Sequence, residues 1–362
     1  MNPSTSNSPV KVLIADDSAF MRTALSRMVQ SDDSLCVVGT AQTGPETLTQ
    51  IDRLQPDVVT LDIDMPGLSG LEILKRVMHD SPRPVIMISS LAQEGAEATL
   101  EALELGAFDC LAKRLNYGSL DIVKVQDELV DKIKAAARSS KDARDARRRS
   151  LRANHPPSPP APFLSLSAPS VVAIGTSTGG PKALQEVLPT LPADLPVSVL
   201  IVQHMPAGFT GPFAQRLNNL CHVHVQEAED GMVLTRGHVY LAPAGQHLTV
   251  RRRSPAEVVL QISSTPSDVV HIPSVDVMML SVAEVFGANA MGVILTGMGG
   301  DGALGMQAIF KEGGLTVGQD EATCAVYGMP RTCAELGVLK RVVPLPEIPR
   351  QILSALGYRK PH

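Results

Sequence analysis

From Val10 onward the chain alternates between short apolar runs and segments whose apolar residues recur every three or four positions. VKVLIAD, CVVGTA, DVVTLDI, PVIMIS and FDCLA are short and bounded by Asp, Gly, Pro or Ser, and they read as buried strands. AFMRTALSRMVQ and LEILKRVM, lying between them, carry helical spacing. Strand and helix in alternation predict a parallel sheet with helices on both faces, a doubly wound (βα)5 domain over residues 10–135.

The pattern changes after the helical stretch DELVDKIKAAARSS. KDARDARRRSLRANHPPSPPAPFLSLSAPS is Arg-rich and then Pro- and Ser-rich, which disfavours packing, so residues 136–168 read as a linker whose first part continues the helix. The cluster at Arg147, Arg148 and Arg149 has no interleaved aromatics and reads as a solvated connector. Alternation resumes after Ser170 with VVAIG, PVSVLIV and MGVILTG, interrupted by HVHVQEA, GHVYLAP, QHLTVR and EVVLQIS. This predicts a second α/β domain over 169–358, with a parallel central sheet and a β-rich excursion in its middle.

Composition sets the class. A chain of 362 residues favours two domains, and 44% hydrophobic with 19% charged residues is an ordinary globular balance. No apolar run reaches the length of a bilayer span, so no membrane insertion is expected. The opening MNPSTSNSPV has neither the basic segment nor the apolar core of a secretory signal, which makes the expected location cytoplasmic. Five cysteines without a CxxC pair argue against a disulfide framework or a cysteine zinc site. A net charge of −5, no Trp and 3% aromatics make nucleic acid an unsuitable partner.

Three acidic residues fall where open parallel sheets place their ligands, at the carboxyl ends of strands. IADDSAF delivers Asp16 and Asp17, and TLDIDMPG delivers Asp62. Converging carboxylates call for a cation, and carboxylate oxygens suit Mg²⁺. IMISS and CLAKR bring Ser89 and Lys113 to the same edge, a hydroxyl and an ammonium suited to a phosphorylated carboxylate. A single Asp after a strand is usually a cap or a loop residue, but five such groups in order exceed that explanation.

This set resembles a two-component receiver domain. The resemblance implies that Asp62 is the phosphorylated aspartate, that Asp16 and Asp17 hold Mg²⁺ with it, and that Ser89 and Lys113 sense the phosphoryl group. Many receivers place Pro after the Lys, whereas this chain has Arg114.

In the second half, VVAIGTSTGGPKALQEVL places Gly175–Gly179 between a strand and a helix, and G-T-S-T-G satisfies the G-x-S-x-G nucleophile pattern. A Walker A reading fails because Pro181 and Ala183 occupy the Lys and Ser/Thr positions, and G-x-G-x-x-G is absent. Ser177 as nucleophile needs a base, and His204 follows the next strand in VSVLIVQHMP. Asp301 follows a further strand in ILTGMGGDG and completes a Ser-His-Asp set at one sheet edge. Taken alone, Asp301 reads as a cap for the helix ALGMQAIF, and Asp276 in PSVDVMML as support for its own helix start. His222 and His224 alternate along one strand without a third metal ligand and read as surface residues.

IGTSTGGP, QHMP, HIPSVDVMM, GVILTGMGGDGA and QDEATCAVYGMP resemble the chemotaxis receptor methylesterase family called CheB, which joins a receiver to a catalytic domain. The resemblance implies hydrolysis of glutamate γ-methyl esters on chemoreceptors to glutamate and methanol, with glutamine deamidation alongside. It implies Ser177, His204 and Asp301 as the triad, no cofactor for the ester chemistry, and the backbone amides of Thr178 and Met298 as oxyanion donors. Its partners are methylated chemoreceptors and a chemotaxis histidine kinase as phosphodonor. A receiver fused to a hydrolase further predicts that the first domain restrains the second until Asp62 is phosphorylated. The rival is a response regulator with a non-catalytic output domain. It calls for a helix-turn-helix or a basic groove-sized helix, and neither is found after residue 170.

Overall fold

The computed structural model describes residues 8–89, 93–113, 119–150 and 168–358. Two compact units meet in sequence between residues 154 and 155. In the first, β1 (Val10–Ala15), β2 (Leu35–Ala41), β3 (Val58–Asp62), β4 (Val85–Ser89) and β5 (Asp109–Ala112) alternate with helices. These are α1 (Ala19–Val29), α2 (Gly44–Leu54), α3 (Gly70–Asp80), α4 (Gln93–Glu104) and α5 (Ser119–Ser150). All strand pairs are parallel, in the order β2-β1-β3-β4-β5. That order puts the topological switch between β1 and β3, the strands that end beside the acidic residues.

Every residue of β3, β4 and β5 is buried, which explains their unbroken apolar runs: helices cover both sheet faces. Val12, Ile14, Ile86 and Ile88 pack with Leu25 of α1 and with Leu129 and Ile133 of α5 in one core. Ser69 and Glu72 form a reciprocal capping box that fixes the start of α3. Gly70, next in line, lies so close to β3 that an added methyl would sit 2.1 Å from the Asp62 carbonyl oxygen. The helix before the linker runs on as the sequence suggests: α5 is continuous to Ser150 and carries Arg147, Arg148 and Arg149, whose side chains lie outside the described residues. Arg114 and the Pro-rich stretch 151–167 also lie outside them.

The second unit is built on seven parallel strands in the order β14-β13-β12-β6-β7-β9-β8. They are β6 (Val171–Thr176), β7 (Ser198–Gln203), β8 (His224–Glu227), β9 (His238–Leu241), β12 (Ala290–Ile294), β13 (Leu315–Gln319) and β14 (Arg341–Val343). The chain starts at β6, builds outward through β7 to β8 and β9, then returns to the other side of β6 with β12. Among the described residues, β10 (His247–Ser254) and β11 (Glu257–Ser263) form a separate antiparallel hairpin. The expected β-rich excursion is therefore shorter than the sequence suggested, because β8 and β9 extend the main sheet.

Among the described residues the unit's α-helices are α6 (Gly180–Val187), α7 (Thr210–Leu220), α8 (Val275–Phe286), α9 (Ala303–Lys311), α10 (Met329–Glu335) and α11 (Ile348–Ala355). α8 and α9 pack side by side against β6 and β12. Met278, Met279 and Val282 of α8 share a core with Met306 and Ile309 of α9. His222 and His224 are exposed, and all five cysteines are free thiols. No helix among the described residues is long and apolar enough to cross a membrane.

Candidate active site and acidic pocket

The acidic pocket forms at the carboxyl edge of the first sheet. Asp16 and Asp17 leave β1 on the loop to α1, and Asp62 closes β3. Asp16 and Asp62 are 0% and 1% exposed, while Asp17 is open to solvent. Each of the three offers a carboxylate oxygen, all within 4.8 Å of one another. Ser18, the N-cap of α1, donates its N–H to Asp16 Oδ1 at 2.9 Å, and Arg22 holds the loop by donating to the carbonyls of Asp16 and Asp17.

Lys113, just past β5, reaches Asp62 Oδ2 at 2.6 Å and stands 3.2 Å from Asp16 Oδ2. That second oxygen is buried and lacks a properly aligned hydrogen bond. Burial pushes the Asp62 carboxyl up to about 6, outweighing the pull of Lys113, and the nearby Asp16 adds to the rise. An oxygen-only donor set with a buried, unsatisfied carboxylate oxygen fits a hard divalent cation such as Mg²⁺. Ser89 ends β4 at the same edge, one position past the Ile88–Asp62 pair, but its hydroxyl donates to the Gly95 carbonyl of α4 at 3.0 Å.

In the second sheet Thr176 and Gln203 are register partners, so Ser177 and His204 leave adjacent strands side by side. The His204 N–H donates to the Thr176 carbonyl at 3.2 Å. Gln203 Nε2 then donates to the carbonyls of both Ser177 and His204, each at 2.9 Å, and ties the two loops together. From the other side, the Ser177 N–H donates to the Thr296 carbonyl beyond β12 at 3.0 Å. The serine backbone is thereby held by the strand on either side of its own.

Asp301 reaches this edge from the loop before α9. Its Oδ2 accepts His204 Nε2 at 2.8 Å and the Val275 N–H at 2.7 Å. Its Oδ1 accepts the Ser274 hydroxyl at 2.8 Å and the Asp276 N–H at 3.0 Å. The carboxylate thus sits on the first turn of α8, where exposed amides and the helix dipole favour a negative charge. Burial pushes its pKa up, yet the hydrogen bond and charge of His204, together with the Asp276 and Val275 amides, hold it down at about 2. Asp301 therefore does not cap α9, the reading that this residue would carry if taken by itself. α9 starts instead at Gly302, a left-handed N-cap without a side-chain bond.

A carboxylate on Nε2 assigns the imidazole proton there and leaves the lone pair on Nδ1. His204 Nδ1 is buried and has no hydrogen-bond partner. This reverses the usual serine-protease arrangement, in which the acid holds Nδ1 and the serine faces Nε2. His271 stacks on the ring, with centroids 4.2 Å apart and planes 21° apart. Desolvation and the adjoining imidazole push the His271 pKa down to about 4, so it stays neutral beside the pair.

Thr178 is buried and its carbonyl accepts the Thr296 hydroxyl at 2.9 Å, while Met298 follows Gly297 on the loop after β12. Among the described residues, the N–H groups of Thr178 and Met298 donate to no protein acceptor. Gly297, the residue before Met298, lies against Ser177: a methyl added there would sit 2.9 Å from Ser177 Cβ. Sequence reasoning did not single out Gln203, His271, Ser274 or Thr296. Each lies within or next to a motif already recognised, but its role depends on a partner far away in the chain.

Comparison with known proteins matches each of the two units to a family. The CheB methylesterase family model matches residues 172–352, and the response regulator receiver domain model matches 12–123. A protein-glutamate methylesterase/protein-glutamine glutaminase 1 of Oleidesulfovibrio alaskensis is 45% identical over 96% of this chain and 99% of its own length. A protein-glutamate methylesterase/protein-glutamine glutaminase 2 of Nitratidesulfovibrio vulgaris is 48% identical over the same shares. The crystal structure of the Thermotoga maritima CheB methylesterase catalytic domain is 36% identical, with a TM-score of 0.50, over 52% of this chain and 98% of that one. With two domain matches in this order and whole-length relatives at such identity, the chain belongs to the CheB methylesterase family, as a receiver domain followed by a methylesterase domain.

Proposed function

We propose that this protein is a phosphorylation-regulated protein-glutamate methylesterase acting on methylated chemoreceptors, and a glutaminase on receptor glutamines. Ser177, His204 and Asp301 are its catalytic residues. The observation that carries this reading is the Asp301–His204 pair, with an unpartnered Nδ1, at the sheet edge where Ser177 leaves the neighbouring strand.

Ser177 Oγ attacks the ester carbonyl carbon while His204 Nδ1 takes the hydroxyl proton. Asp301 holds Nε2–H and stabilises the imidazolium that forms. The tetrahedral oxyanion is received by the Thr178 and Met298 amides, each such donor being worth about 100- to 1000-fold in rate. Collapse breaks the bond to the methoxy oxygen, which leaves as methanol with the proton from Nδ1. Water then gives a proton to Nδ1, adds to the acyl carbon, and Ser177 departs protonated as the free glutamate is released.

In the receiver, Asp62 is the phosphoryl acceptor, Asp16, Asp17 and Asp62 hold Mg²⁺, and Lys113 and Ser89 respond to the phosphoryl group. When bound, Mg²⁺ offsets the negative charge that gathers on Asp62 during phosphoryl transfer. For Lys113 this requires exchanging its present ion pair with Asp62 for the phosphoryl oxygens. For Ser89 it requires turning its hydroxyl away from Gly95. The phosphodonor is a chemotaxis histidine kinase, the protein works in the cytoplasm, and the domains run over residues 10–135 and 169–358, joined by 136–168.

The test is methanol release from methylated receptor membranes by wild type and Ser177→Ala, each with and without a small phosphodonor and Mg²⁺. Release that the donor stimulates, and that Ser177→Ala lacks, is the expected result. Equal release by both proteins would make Ser177 a turn residue.

A further inference from the structure

Asp276 and Asp301 form a crossed pair. Asp276 lies in the first turn of α8, yet its Oδ1 accepts the Gly305 N–H, in the first turn of α9, at 2.8 Å. The Leu304 and Gly302 amides act on the same carboxylate. Asp301 lies just before α9, yet its carboxylate accepts from Ser274, Val275 and Asp276 at the start of α8. Each helix start is satisfied by the acid of the other. The Asp276 N–H also donates directly to Asp301 Oδ1, so a single residue touches both halves of the exchange.

This exchange has a cost that calls for a reason. Desolvation raises the Asp276 carboxyl above its ordinary value, and the Asp301 charge adds to the rise, while the helix amides only partly offset it. An Asp at 301 capping its own helix would avoid setting two half-buried carboxylates together. It would also turn the carboxylate away from His204, because Asp301 reaches Nε2 while facing α8 rather than α9. Gly302 supports that turn: it is left-handed, and a methyl there would sit 2.8 Å from Val275 Cγ1 and from Ile294 Cδ1.

We propose that Asp276 is a positioning residue for the catalytic pair, taking over the amides of α9 so that Asp301 is free to orient His204. This rests on the triad assigned above. Asp276 touches neither Ser177 nor His204 in any bond described, and it acts through the loop from Gly302 to Gly305. Asp301 and His271 are the titratable groups facing His204, and Asp301 and the Cys333 thiol of α10 are those facing Asp276. Removing the Asp276 acceptor releases that loop, loosens the Nε2–Asp301 bond and lowers kcat with little change in KM, since no receptor contact is lost.

The experiment compares Asp276→Ala and Asp276→Asn in the full chain by two independent readouts. The first is the downfield proton resonance of His204 Nε2–H, identified by its loss in His204→Gln, which reports the bond to Asp301 whatever substrate is turned over. The second is kcat and KM for methanol release. The expected result for Asp276→Ala is a shifted or broadened resonance and a kcat lower by about 10- to 100-fold, the scale of a sub-ångström to ångström misplacement. Asp276→Asn, which keeps an oxygen for Gly305, restores most of both.

A folded Asp276→Ala with an unchanged resonance, or with kcat within twofold of wild type, overturns the proposal and leaves Asp276 as a cap that only adds stability. Should that variant fail to fold, Asp276→Ser, whose hydroxyl falls short of Gly305, is judged by the same two outcomes. Full activity in Ser177→Ala would instead defeat the triad on which this rests, and the resonance would still decide what Asp276 does.

Discussion

Gly297 is the position at which the smallest change should do the most damage to the reaction. Its N–H donates to the Val326 carbonyl at 3.0 Å, and its carbonyl accepts the Gly328 and Met329 amides at 3.0 and 2.9 Å. A methyl added there would stand 2.9 Å from Ser177 Cβ, 3.1 Å from Ser177 N and 2.3 Å from Met329 Sδ. Ordinary carbon contacts begin near 3.5 Å, so the serine must give way by roughly 0.5–1 Å. Gly297 cannot retreat, being bonded on both sides, and Met329 is fully buried. Ser177 can move only by stretching its bonds to Thr296 and Gln203.

Overpacking of this kind costs about 1–3 kcal/mol of stability. Misplacing a nucleophile by about 1 Å costs about 100-fold in rate. Gly297→Ala should therefore melt a few degrees lower and release methanol 10- to 100-fold more slowly, with KM little changed. Calorimetry and initial-rate kinetics on methylated receptor membranes give both numbers. A variant with wild-type kcat and a lowered melting temperature would show that Ser177 tolerates the shift and that the tight turn serves stability alone.

Two further outcomes follow from the charges. Asp301 has its pKa lowered from 3.8 to about 2, so it contributes stability above pH 4 that is lost as pH falls through 2. Asp301→Asn should cost about 2 kcal/mol in urea unfolding at pH 7, and that deficit should shrink toward pH 2. A deficit independent of pH would refute the charge argument. In the receiver, Asp16→Asn should weaken Mg²⁺ binding at least about tenfold by calorimetric titration, because it removes a buried carboxylate charge from the donor set. Wild-type affinity should also fall as pH drops below about 6, where Asp62 takes up a proton, and an unchanged affinity in Asp16→Asn would remove Asp16 from the site.

Much of this was legible in the chain. Strands such as β3, β4 and β6 are buried on both faces, so each is an unbroken apolar run that ends where a ligand-facing loop begins. That is why Asp62, Ser177 and His204 could be placed at sheet edges from pattern alone. Strand order was less legible: β8 and β9 look like a detour in sequence, and only tertiary pairing sets β9 beside β7. The crossed acids were hidden for a similar reason. Helix dipoles are local in sequence, so Asp276, and Asp301 if taken alone, read as caps of their own helices, whereas the packing of α8 on α9 exchanges them. Nor does spacing reveal which nitrogen of His204 meets Asp301, or that the Ser89 hydroxyl turns to Gly95. These are choices of rotamer made after the backbone is built.

The strand order also sets a schedule for biogenesis. Ser177 and His204 directly follow β6 and β7, the first strands of the catalytic unit to be synthesised, but His204 and its acid are separated by 97 residues. At ribosomal speeds of about 5–20 residues per second, Asp301 emerges on the order of 5 to 20 s after His204. During that interval the nascent chain has a serine and an imidazole without the carboxylate that orients them, and β12, which pins the Ser177 backbone, has not been made. On the triad proposed above, hydrolytic competence is withheld from chains that end before Asp301, and full esterase activity marks a catalytic unit that has been completed as well as folded.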